Sequence, residues 1–289
     1  MRLTILSRMI FAGNVAMARA LAPSLTANTS RMMSVTSTSG GSGEDMIEAT
    51  DLFGQWARTD GRVEKMAAGH DPAVSEMLTS LIKYLKEQPS SSSTAKTNLS
   101  LLDIGSGSGW VCKKALDTHV HGNVFGSYRG IDGSNDMVLK AQMENSGNPS
   151  CLFEHADLNT WSLQSKEAVF DVAFSMECLY YLRPKEIGNF LRKLSTGTIK
   201  RGGVLIFGID HYEENKDCHN WSRINNCHMT LWPSNRWKQE VEEAGFEIID
   251  MWRAAKRDGM LEGTLVIMAR NTADDKIVVD HYEKAPKEL

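Results

Sequence analysis

The sequence predicts an α/β fold built from βαβ units around a parallel sheet. Three observations carry this reading. From residue 99 onward, short apolar runs alternate with amphipathic stretches of helical spacing. One run opens directly into a glycine-rich turn followed by a helical stretch. Hydrophobic residues make up 42% of the 289, enough for a sizeable core.

The elements follow in order. Residues 40–47 start Gly40-Gly41-Ser42-Gly43 and read as a linker. A helix is expected over 71–87, with Asp71 as its N-cap and Pro72 in its first position. Val74, Met77, Leu78, Leu81, Ile82 and Leu85 recur on one face of it. Pro89 and the polar run Ser90–Thr94 end it. Strands are expected at 99–104, 127–132, 151–156, 170–176 and 203–209. Helices are expected between them at 108–118, 135–145 and 184–195. In the last of these, Ile187, Phe190, Leu191 and Leu194 form one apolar face. A helix near 234–244 leads through Gly245 to apolar runs at 246–252 and 263–269. Arg257-Asp258-Gly259 lies between those runs, which suits an antiparallel pair. Residues 272–289 are charged and read as a peripheral tail.

The first forty residues have a different composition. They hold Arg2, Arg8, Arg19 and Arg31 and no acid, and are rich in Ala, Ser, Thr and Met. This pattern matches an organelle transit peptide, with mitochondrion ahead of plastid; without such a signal the chain would stay cytoplasmic. Without that segment 28 basic residues face 36 acidic ones, a net charge of −8. An acidic body disfavours nucleic acid as a partner. No apolar stretch approaches the roughly 20 residues of a membrane span. The five cysteines are odd in number and their spacing suggests no disulfide framework, so a reducing compartment is expected.

The glycine-rich turn is the most informative segment. A strand ending at Asp103-Ile104-Gly105 runs into Ser106-Gly107-Ser108-Gly109 and then a helix. Glycines permit positive φ and close ligand approach, and a helix start offers unpaired N–H groups. By themselves they suit a dinucleotide, a nucleotide or an amino-acid-bearing cofactor. A dinucleotide fingerprint needs a small residue at 110, where Trp110 stands. Asp103 suits an ammonium and would repel a pyrophosphate. No Gly-Lys-Ser/Thr follows, which excludes a Walker-type phosphate cradle. Asp132 closes the next run, 27 residues after Gly105, where an acid suits ribose hydroxyls. Asp157 closes the third and can accept from an exocyclic adenine amine. Met137, at the start of the following helix, can lie on the adenine face.

With these pieces, together with Phe170–Ser175 and Gly202-Gly203-Val204-Leu205, the chain resembles the class I, seven-stranded S-adenosylmethionine-dependent methyltransferases over about 99–270. The resemblance implies a doubly wound, mostly parallel sheet of order 3-2-1-4-5-7-6 with the last strand antiparallel. It assigns Asp103, Gly105, Ser106, Gly107 and Gly109 to the methionine portion of S-adenosyl-L-methionine. It assigns Asp132 to the ribose, Asp157 and Leu158 to the adenine, and Met176, just past the fourth strand, to the border of the methionine end. The implied organisation is a leader at 1–40, an N-terminal lid or helical segment and linker at 41–98, the catalytic domain at 99–271 and the tail at 272–289.

The acceptor is less legible. The loops after the fourth and fifth strands are dense in polar aromatics, and Tyr180, Tyr181 and Trp221 are expected to line the acceptor. His211 is the candidate general base for an amine, hydroxyl or thiol, while a thioether would need none. Cys218-His219 and Cys227-His228 match no compact zinc module, so no metal is assigned. Trp56-Ala57-Arg58 and the stretch Arg62–His70 can serve as a lid or as a packing helix. The expected activity is methyl transfer to a small metabolite at N, O or S. The alternatives are an organellar protein or RNA methyltransferase, an NAD-dependent oxidoreductase, and a cofactor-binding assembly factor without catalysis.

Overall fold

A computed structural model describes residues 46–88, 97–163, 169–256 and 262–273. The expected leader, the polar loop at 89–94, the Arg257–Gly259 turn and all but two residues of the charged tail lie outside them. The elements are α1 (Ala49–Ala57), α2 (Arg62–Glu87), β1 (Leu99–Ile104), α3 (Trp110–Ala115), α4 (Thr118–His121), β2 (Phe125–Asp132), α5 (Asn135–Glu144) and β3 (Cys151–His155). There follow β4 (Phe170–Met176), α6 (Pro184–Gly197), β5 (Ile199–Ile209), α7 (Trp221–Asn225), α8 (Ser234–Glu243), β6 (Phe246–Ala254) and β7 (Thr264–Asn271).

The strands form one seven-stranded sheet of order β3-β2-β1-β4-β5-β7-β6. The pairs from β3 to β5 are parallel, and β7 runs antiparallel to both β5 and β6. Both faces of the sheet are covered. Leu102, Ala173, Leu205, Phe207 and Ile267 pack with Phe190, Leu191 and Leu194 of α6 and Trp237 of α8. Leu101, Val172, Val204, Ile206 and Val266 pack with Met77, Leu78 and Leu81 of α2 and with Val111 of α3. Burial on both faces explains why the central strands read as continuous apolar runs.

Four sequence expectations are corrected. The helix expected at 71 begins at Arg62, so Pro72 lies inside it and Asp71 is no cap. The Asp71 carboxylate instead pairs with Lys114 at 2.9 Å. Residues 64–72 are mostly exposed or half-buried, so they carry no apolar stripe to announce the extra turns. The helix expected at 108–118 splits into α3 and α4, because the Asp117 carboxylate accepts from His119 N–H at 2.9 Å and starts a new turn. β5 begins at Ile199, four residues early, through the positive-φ residue Gly202. Cys112 and Cys151 are joined by a disulfide, because α3 packs beside the start of β3; Cys178, Cys218 and Cys227 are free.

Candidate functional site

The site is built where β1, β2 and β4 end. The Gly105 and Ser106 amides both donate to the Ile131 carbonyl, at 2.8 and 3.0 Å, and so fasten the glycine turn to β2. Gly105, Gly107 and Gly109 all have positive φ. Their surroundings differ. A side chain at Gly105 would overlap the Cys178 sulfur, and one at Gly109 would meet Phe153 at 2.6 Å. One at Gly107 would meet nothing within 4 Å. Two glycines therefore serve packing, and the third leaves an open backbone face for a ligand.

Three acids stand around this turn. Asp103 is 2% exposed and accepts a hydrogen bond from the Tyr128 hydroxyl. Burial raises its carboxyl to about 7, against the pull of Tyr128 and with the help of the Asp132 charge. Asp132 accepts from the Gly107 amide and from the Ser134 amide, both at 2.8 Å. Burial raises its carboxyl also, opposed by those two bonds. Asp157 lies two residues past β3, is exposed and accepts from Asn159 N–H at 2.9 Å. The Ser106 hydroxyl is buried without a hydrogen-bond partner.

The remaining residues assigned to the cofactor have little free surface. Met137 is fully buried and Leu158 is 9% exposed. Met176 is the last residue of β4 and does not follow it, as expected from the sequence. Its sulfur lies by Gly208, and its side chain packs with the α2 face of the core.

The other half of the site follows β4 and β5. Leu179–Tyr181 form a short 3₁₀ turn. The Tyr180 and Tyr181 rings lie 4.6 Å apart, Tyr180 and His211 5.4 Å, and His211 stacks on Trp221 at 6.2 Å. The structure thus brings together all four residues expected at the acceptor. Burial raises both tyrosine hydroxyls above their ordinary range. His211 is 1% exposed, and its Nδ1 faces the Cys218 carbonyl at 3.1 Å. Its Nε2 is buried without a hydrogen-bond partner, and the Met229 backbone lies near the ring. Burial lowers its pKa, which favours the neutral ring.

Other residues of the site escaped sequence reasoning. α1 lies across it. A side chain at Gly133 would overlap Thr50, one at Gly54 would meet the Asp136 carboxylate at 3.0 Å, and Arg58 pairs with Asp136. Phe53 meets Tyr181 edge-on at 5.3 Å. One short helix therefore touches both the β2–α5 turn and the aromatic group. Glu177 takes a positive φ of 54°. Its carboxylate accepts from the Tyr180 hydroxyl at 2.8 Å and from the Asp210 amide at 2.5 Å. Burial beside Asp210 holds it well above the usual carboxylate range. The Cys-His pairs do not converge. Cys218 donates to the Asn215 carbonyl, His219 faces the Glu213 carbonyl and His228 faces Thr230.

Comparison with known proteins supports one reading of this geometry. A family model described as a methyltransferase domain matches residues 71–251. No match is found among curated proteins. A chain of the Haloferax volcanii complex between the Trm112 methyltransferase activator and a methyltransferase superposes with a TM-score of 0.63 at 22% identity, covering 76% of this chain and 98% of its own. The N-methyltransferase NodS from Bradyrhizobium japonicum WM9, in complex with S-adenosyl-L-homocysteine, gives 0.54 at 16% identity over 78% and 98%. Human N-acetylserotonin methyltransferase, in complex with S-adenosylmethionine, gives 0.55 at 16% identity over 78% and 61%.

Proposed function

The chain belongs to the class I S-adenosylmethionine-dependent methyltransferase family, and from that premise we propose that its methyl acceptor is a small molecule, taken at nitrogen, oxygen or sulfur. The observation that carries the acceptor reading is the stacked group Tyr180, Tyr181, His211 and Trp221, edged by Phe53 of α1. Such a wall suits a small acceptor that leaves water behind.

The residues present fit the cofactor. Gly107 offers open backbone, the Ser106 hydroxyl awaits a partner, and Asp103 has an acceptor oxygen to spare for an ammonium. Asp132 stands ready for the ribose hydroxyls through its remaining lone pairs, and Asp157 with Leu158 for the adenine edge. When bound, the cofactor supplies a methyl group already activated by a sulfonium, so no covalent nucleophile is needed from the protein. What remains for the chain is alignment, exclusion of water and, for an acceptor that carries a proton, a base. His211 is our candidate for that base. Burial favours its neutral form, Tyr180 and Trp221 flank its ring, and its Nε2 has no hydrogen-bond partner.

Incubation of the protein with methyl-labelled cofactor and size-fractionated cell extract tests the acceptor class. Label in the low-mass fraction, reduced at least tenfold by His211→Ala, is the expected result. Label confined to protein or RNA would reject the small-molecule reading.

A further inference from the structure

Three side chains that the cofactor and acceptor assignments leave unused meet at the carboxyl ends of the central strands. His70 comes from α2, Glu177 follows β4 and Asp210 follows β5. One ligand atom from each lies within 4.8 Å of the other two. β4 and β5 are paired neighbours, with Met176 opposite Gly208, so the two carboxylates leave the sheet side by side.

The ion pairs of the described residues, such as Arg58 with Asp136 and Lys200 with Asp171, involve neither carboxylate. Asp210 Oδ1 is buried with no hydrogen-bond partner. A carboxylate oxygen buried in this way is ordinarily hydrogen-bonded, protonated or bound to a metal. Glu177 is held by the Tyr180 hydroxyl and by the Asp210 backbone amide, which fixes its carboxylate plane. Each of its oxygens keeps a lone pair for a further partner. Hydrogen bonds that orient a carboxylate in this way are what metal ligands require.

We infer that His70, Glu177 and Asp210 form a site for one divalent first-row transition-metal ion, with coordination positions left open toward the acceptor group. Metal–ligand bonds of about 2.1 Å place neighbouring ligand atoms roughly 3 to 3.5 Å apart, so modest side-chain rotations close the site. One imidazole and two carboxylates give a mixed nitrogen and oxygen set suited to Mn²⁺, Fe²⁺ or Zn²⁺. Three protein ligands leave room for an acceptor oxygen or water, as in metal sites that take part in chemistry. Tyr180 joins the site to the acceptor wall, because its hydroxyl holds Glu177 while its ring packs on His211. The use of the open positions rests on the methyl-transfer reading; the binding of the ion does not.

The test is titration of the chelator-treated full chain with Mn²⁺, followed by electron paramagnetic resonance, and with Zn²⁺, followed by calorimetry. One ion per chain is expected. His70→Ala and Asp210→Asn should each weaken binding at least tenfold, and His219→Ala should leave it unchanged. Should His70→Ala fail to fold in a thermal melt, His70→Gln and Asp210→Asn carry the comparison. Absence of stoichiometric binding of both ions overturns the site, as does binding that survives His70 and Asp210 substitution. Cofactor binding measured on the same samples separates the outcomes. Metal binding without S-adenosylmethionine binding would keep this site and sink the methyl-transfer reading, and the reverse result would do the opposite.

Discussion

If the buried carboxyl of Asp103 holds the cofactor's ammonium, as proposed, cofactor affinity depends on pH. Its pKa in the free protein is raised to about 7, chiefly by burial. An ammonium needs the ionised carboxylate, so binding must displace a proton below that pH. The sign is fixed: affinity rises with pH and levels off above about 7. If only the ionised form binds, the ionised fraction falls about 25-fold from about pH 7.5 to about pH 5.5, or ~1.9 kcal/mol. The ligand's own amino group stays largely protonated over this range. Calorimetry of S-adenosylmethionine binding in buffers of differing ionisation enthalpy reads both the affinity and the released proton. Tyr128→Phe removes a hydrogen bond that favours the ionised form, so the profile should shift to higher pH. Asp103→Asn should bind weakly and lose the profile. An affinity that stays flat from about pH 5.5 to about pH 7.5 in the wild type would refute the reasoning. The same shift carries a stability consequence: Asp103 favours the apo fold at acid pH, and that contribution fades as pH rises from about 4 to about 7.

Four further substitutions test the site and the core that frames it. Asp132→Ala strips the acceptor from the Gly107 and Ser134 amides, each bond to a charged group being worth about 1.5–3 kcal/mol; S-adenosylmethionine affinity should fall at least tenfold by calorimetry, and an unchanged Kd would remove Asp132 from the site. Gly109→Ala must place a methyl against Phe153 at positive φ, so the melt should show a loss of about 2–4 kcal/mol. Gly107→Ala meets open space and should cost only about 1–2 kcal/mol of fold stability while weakening the cofactor; equal melts and unaltered affinity would contradict the open-cradle reading. Trp237→Ala empties a fully buried position between α8 and β5 and should destabilise by about 3–5 kcal/mol in denaturant titration, with a smaller loss arguing that the α8 layer packs loosely.

The parallel sheet was legible because its strands are buried on both faces and separated by helices of clear period. Strand order itself came with the family resemblance. The acids Asp103, Asp132 and Asp157 were legible because each stands at or just beyond a strand end behind one glycine turn. Tyr128 was missed because nothing local marks it: it reaches Asp103 from the neighbouring strand, where Leu101 is its register partner. His70 was hidden by the misplaced start of α2, since the proline read as a first helical residue in fact follows ten helical residues. Glu177 and Asp210 lie 33 residues apart and meet only through the pairing of β4 with β5. Cys178 lies against Gly105 for the same reason, as β1 and β4 are neighbours. Short-range patterns reveal which residues share an element, and contacts between elements need the register of the sheet.

The central claim is that one chain carries both an S-adenosylmethionine cradle at Asp103, Gly107 and Asp132 and a small-molecule acceptor site at Tyr180, Tyr181, His211 and Trp221. The most direct measurement is mass spectrometry of a metabolite pool incubated with methyl-labelled S-adenosylmethionine and the purified protein. A low-mass product that carries the label, present with wild type and absent with Asp132→Ala, is the predicted result. A pool without labelled product, from a protein that also fails to bind S-adenosylmethionine, would contradict the account.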